Sequence, residues 1–166
     1  MSTRAIIRIE SEEEKSQSIY CHGDGYPEFL GRFLVGIVAR LPLMDVNHPS
    51  NKPGGIHHRK RDWDRSMFLF VPNAAYEPEK IACAVIGELW RAEYTGTYLT
   101  DRVPEEEFEK DWTDIEHIYI IKAPKLYTEG VPELIWKEVE NKQIVEHSQE
   151  ELIEAIREGM KRWGRK

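Results

Sequence analysis

The sequence predicts an α+β fold, a mainly antiparallel sheet with about three amphipathic helices packed on it. Three observations carry that expectation. Short β-branched runs lie at both ends of the chain, the later ones close enough to be joined as hairpins. Three longer stretches repeat apolar residues at helical spacing. No composition shift or linker divides the 166 residues, so one domain spanning 1–166, large enough for its own core, is expected.

The elements follow in order. Ala5-Ile6-Ile7-Arg8-Ile9 is a strand, and after the polar stretch Glu10 to Gln17, Ser18-Ile19-Tyr20-Cys21-His22 is its antiparallel partner. Gly23-Asp24-Gly25 breaks that strand, and Pro27 opens a helix, where its missing N–H costs nothing. Leu30, Phe33, Leu34, Ile37, Val38 and Leu41 form that helix's inward stripe, and Pro42 is expected to stop it near Leu41. Residues 43–66 lack periodicity and hold Pro49, Pro53, Gly54 and Gly55. A loop of that length inside a compact domain is usually functional or disordered.

Met67-Phe68-Leu69-Phe70-Val71 is an apolar run expected to be a central strand buried on both faces. Pro78 opens a second helix that packs Ile81, Ala82, Val85 and Leu89, with Ile86 beside them. Glu93 to Thr100 is expected to be a strand with Gly96 at a bulge, and Ile115 to Ile121 another. Leu134 to Glu140 and Gln143 to Glu146 form a hairpin turning at Asn141-Lys142. Ser148-Gln149-Glu150-Glu151 is a capping box, opening a last helix that packs Leu152, Ile153, Ile156 and Met160 and ends in basic residues.

Composition narrows the function classes. Hydrophobic residues make up 40% and charged residues 32%, which argues for a folded domain with a solvated surface. No apolar run approaches the roughly 18–20 residues that span a bilayer, and no signal-peptide pattern opens the chain, so a cytoplasmic location is expected. Cys21 and Cys83 each sit in an apolar segment as small hydrophobes, which disfavours a disulfide framework. The net charge of −7 disfavours non-specific nucleic-acid binding. The charge is uneven: Glu12-Glu13-Glu14 and Glu105-Glu106-Glu107 are acidic, Arg59-Lys60-Arg61 basic.

The segment Tyr20-Cys21-His22-Gly23-Asp24-Gly25-Tyr26-Pro27, followed by Gly31 and Leu34, has a structural reading. Asp24 accepts backbone N–H groups in the turn or caps the helix, the glycines relieve turn strain, and Tyr26 lies over the helix as a staple. The functional alternative gathers His22, Asp24 and the helix N-terminus around an anion or substrate. The segment resembles a loose group of phage and bacterial proteins in which a strand ends in His-Trp-Asp-Gly-Tyr-Pro and a helix follows. Gly23 stands where that group has Trp, and the likeness covers residues 1 to about 40, with weaker echoes in the second helix and last strands. The resemblance implies a mobile-element context and supplies no catalytic residue.

Four constellations can carry chemistry. For metal binding, His22 with Asp24 on one strand face and His48, His57, His58, Asp62 and Asp64 offer imidazole and carboxylate. They lack a His-Glu-x-x-His or paired Cys-x-x-Cys frame, so no cofactor is expected. His117 and His147 are read as surface or satisfied histidines. For acid–base catalysis, His22 is the base and Asp24 its orienting group, while Cys21 points to the core. For phosphate recognition, Lys52, Arg59, Lys60, Arg61 and Arg65 surround Gly54-Gly55, and Trp63 can stack on a base. For protein contact, Trp90, Trp112, Trp136 and Trp163, with an acidic face from Glu105 to Asp111, suit a macromolecular partner.

The leading expectation is therefore a non-enzymatic phage or mobile-element accessory protein that binds a host protein, as an inhibitor of host defence. The binding candidates are His22, Asp24, Tyr26, Arg59, Lys60, Arg61, Trp63 and Arg65. The alternatives are a nucleotide-sequestering module and a small hydrolase dependent on a metal or on His and Asp. Self-association is compatible with each.

Overall fold

The structure, a computed structural model, describes residues 3–12, 15–44, 76–94, 96–101, 114–125, 130–140, 143–162 and 164. Among these the elements run β1 (Arg4–Glu10), β2 (Gln17–Cys21), a π-helical turn (Pro27–Gly31), α1 (Arg32–Met44), α2 (Pro78–Arg91), β3 (Thr97–Thr100), β4 (Ile115–Lys122), β5 (Glu133–Glu140), β6 (Gln143–His147) and α3 (Gln149–Arg162). The expected strand at Met67–Val71 and nearly all of the 43–66 segment lie outside the described residues.

The six strands form one sheet in the order β3-β2-β1-β4-β5-β6. Four pairings are antiparallel; β1 and β4 pair parallel, with Ile7 opposite Tyr119. The fold is α+β as expected, with its one parallel pairing at the centre. That position explains the sequence of β1 and β4, whose side chains are buried on both faces. One face carries Ala5, Ile7, Ile9, Ile19, Cys21, Tyr119, Ile121, Leu134 and Trp136, covered by Leu30, Leu34, Ile37 and Leu41, by Ile81, Val85 and Leu89, and by Leu152. The reverse face buries a second cluster of Ile6, Tyr20, Ile115, Ile118 and Ile120.

Several boundaries differ from expectation. Pro42 does not end α1, which runs to Met44; a proline in the last turn keeps a helical φ and removes only one late hydrogen bond. Phe33, at the margin of the stripe, is 39% exposed. Cys83 is exposed as well, on the side of α2 away from Ile81, Val85 and Leu89. The strand expected from Glu93 begins only at Thr97, because α2 closes first in a left-handed turn. Tyr94 N–H donates to Leu89 O at 2.9 Å and Glu93 N–H to Trp90 O at 3.0 Å, with Glu93 at φ 67°. This is a Schellman closure with glutamate in the position that glycine usually fills.

The capping box is present as expected. Ser148 N–H donates to Glu151 Oε2 at 2.7 Å and Glu151 N–H to Ser148 Oγ at 3.2 Å. Hydrogen bonding of the carboxylate by the Ser148 backbone N–H and hydroxyl holds Glu151 below its ordinary range.

Candidate functional site

The turn after β2 is built around Gly25. Its N–H donates to Thr3 O at 3.0 Å, and its carbonyl accepts the buried Tyr119 hydroxyl at 2.8 Å. A Cβ on Gly25 would lie 2.9 Å from Ala5 Cβ and 3.1 Å from both Arg4 C and Thr3 O. The glycine is therefore required by close backbone approach to β1. Pro27 and Leu30 are buried beneath it. Much of the signature segment thus serves folding.

β2 ends at Cys21, so the alternation expected to place His22 and Asp24 on one strand face does not reach them. His22 N–H still donates to Gly96 O at 3.1 Å, extending the ladder to β3 by one residue. Asp24 takes a left-handed φ of 53°, a conformation that aspartate tolerates better than most residues. It does not cap the helix, whose first turn starts from Tyr26 without a side-chain hydrogen bond.

His22 and Asp24, both exposed, line one open groove of about 510 Å³ with Phe29, Phe33, Glu93, Tyr94 and Gly96. The two non-glycine residues with positive φ among the described residues, Asp24 and Glu93, both lie in its wall. Tyr26 is not part of this groove; its ring turns to His117, 6.1 Å away, and to Phe29, 6.5 Å away. Cys21, at the groove's base, is buried, and burial pushes its thiol up to about 11. It is not an activated nucleophile.

His117 is a satisfied core histidine, as expected. Its Nδ1 accepts the Trp136 indole N–H at 3.3 Å. Burial, with neighbouring His147 adding to it, lowers its pKa to about 4. His147 stacks on Trp136 at 4.1 Å between ring centroids.

A second hollow, of about 390 Å³, adjoins the first through Phe29, Phe33 and Ala92. It is lined by Arg32, Gly36 and Arg40 of α1, and by Glu88 and Arg91 of α2. Glu88 pairs with Arg40 and Arg91, each at 2.9 Å. These residues escaped the sequence reading, although Arg32, Gly36 and Arg40 recur every fourth position on an apolar helix, a pattern that marks one exposed stripe.

Trp90 and the strand that follows α2 form a third exposed feature. Trp90 is 55% exposed and its indole N–H donates to Thr97 O at 3.0 Å. Tyr98 and Leu99 are each 53% exposed. The other sequence candidates, His48, His57, His58, Arg59, Lys60, Arg61, Asp62, Trp63, Asp64 and Arg65, lie outside the described residues, as do Glu105 to Asp111, Trp112 and Trp163.

Among the described residues, no group of three or more His, Cys, Asp or Glu side chains is placed to hold a metal ion. No described helix is long and apolar enough to cross a membrane. The class these features define is an α+β protein with an open surface groove. Comparison with protein families, with curated proteins and with solved structures finds no match.

Proposed function

We propose that the chain is a non-enzymatic binding protein of phage or mobile-element type, that its partner is a host protein, and that binding inhibits a host defence. The observation that supports this reading best is the outer edge of β3, with which no described strand pairs. The His22–Gly96 bond sets the phase of the β2–β3 ladder. Tyr98 and Thr100 turn their backbone groups to β2, while Thr97 and Leu99 turn theirs to the outer edge, where the Thr97 carbonyl takes the Trp90 indole N–H and no other described strand pairs with β3. The strand Thr97-Tyr98-Leu99-Thr100 carries no charge, proline or glycine to discourage pairing. β6, at the opposite edge, does carry a charge, Glu146, which pairs with Lys137 at 3.1 Å.

An extended segment of the partner adds to this edge through main-chain hydrogen bonds, while Trp90 and Leu99 supply the apolar contact. The test compares the wild-type protein with Leu99→Lys and Trp90→Ala as bait in host lysate. A stoichiometric partner retained by wild type and lost by both variants, each still folded by circular dichroism, is expected. No stoichiometric partner, or equal retention by all three proteins, overturns the reading.

A further inference from the structure

Gly36 stands in the interior of α1, where glycine costs about 1 kcal/mol relative to alanine. Packing does not demand it: a Cβ there would meet nothing within 4 Å. What its absent side chain does is leave open the floor of the hollow between α1 and the end of α2.

Two lanes of side chains border that floor. Arg32 and Arg40 flank Gly36 at four-residue spacing, and Phe29, Phe33 and Ile37 run beside them. Arg91 faces them from the last turn of α2. Glu88, its side chain only 11% exposed, pairs with the guanidinium groups of both Arg40 and Arg91, which fixes their position before any ligand arrives. Arg32 is exposed and has no acidic partner among the described residues. The lining holds three arginines against Glu28 and Glu88, one net positive charge in a chain whose net charge is −7.

We infer that this hollow binds a small organic monoanion built on a flat ring. The oxyanion meets Arg32, supported by the preset guanidinium groups of Arg40 and Arg91, and the ring lies against Phe29 and Phe33. Guanidinium forks suit carboxylate and phosphodiester oxygens alike, and the aromatic side chains supply a face for stacking. A bulky or multiply charged anion fits less well, because Glu88 already occupies one side of two of the three arginines. This inference is independent of the contact proposed at β3.

Isothermal titration of the full chain with indole-3-carboxylate and with adenosine 3′,5′-cyclic monophosphate tests it. Inorganic phosphate and adenosine serve as charge without ring and ring without charge. Saturable binding of either ringed anion, at least about tenfold tighter than phosphate or adenosine, is expected, and the one that binds identifies the oxyanion. Gly36→Leu puts a side chain into the open floor from a Cβ that meets nothing within 4 Å, and should abolish binding while α1 stays folded. Arg32→Gln should weaken it at least about tenfold, the scale of one lost charge-assisted hydrogen bond. Absence of saturable binding by both ringed anions at millimolar concentration overturns the inference. Equal binding of phosphate, or binding that survives Gly36→Leu, does so too.

Discussion

At the scale of single residues, the signature segment shows how one atom's worth of space is specified. Gly25 is held between β1 and the Tyr119 hydroxyl, and its two backbone groups are both satisfied. Gly25→Ala forces a methyl group against Arg4 C and Thr3 O, backbone atoms that cannot rotate away. A loss of about 2–4 kcal/mol is expected in urea unfolding. Tyr119→Phe leaves the Gly25 carbonyl without its donor and should cost about 1–2 kcal/mol. The opposite sign is expected at Glu93, where φ is 67°: Glu93→Gly relieves the left-handed penalty and should raise stability by about 1 kcal/mol. The need for glycine and proline in the turn was legible in the sequence, because local backbone chemistry dictates it. The atoms that crowd Gly25 belong to β1 and β4, and no local pattern names them. The expected placing of His22 and Asp24 on one strand face failed because β2 ends at Cys21, three residues short of Asp24.

At the scale of elements, the helices were legible because their caps and stripes are local. The Ser148–Glu151 box lies where the sequence puts it. What the sequence hides is where helices press on one another. Gly159, buried in the last turns of α3, reads as a weak point in an otherwise good helix. In the structure α3 packs on the π-helical turn there, and a Cβ would fall 2.5 Å from Glu28 Cβ. Helix propensity alone predicts that Gly159→Ala stabilises by about 1 kcal/mol. Packing predicts the reverse, a lower melting temperature, because the stem of Glu28 is fixed to its own backbone. A thermal melt of this single variant decides between them. The stripe of arginines on α1 was likewise visible as spacing, but the hollow it borders exists only once α2 docks beside it.

For the whole molecule, the buried His117 couples stability to acidity. Folding lowers its pKa from 6.5 to about 4, so the unfolded chain binds the proton more tightly. The stabilisation that depends on the neutral ring is complete above the unfolded value and is lost as pH falls towards the folded one. Between about pH 7.5 and about pH 5 this amounts to about 2 kcal/mol. His117→Gln keeps an acceptor for the Trp136 N–H but does not titrate. Its unfolding free energy should vary less over that range than the wild type's, by about the same amount; parallel curves would assign the acid response to other groups. The antiparallel hairpins β1–β2 and β5–β6 were readable as neighbouring strands. The join between them was not, because Ala5 pairs with His117 across most of the chain and nothing nearby in sequence announces a parallel partner.

That central join has a consequence for how the protein is made. As the chain emerges from a ribosome, β1 can fold back on β2 at once, but its other side waits for β4, more than a hundred residues later. Throughout that interval the isoleucines of β1 and an unpaired row of amides are open to whatever else is nearby. Nascent chains stalled before Ile115 should therefore depend on a holding chaperone, and chains extended past Lys122 should not.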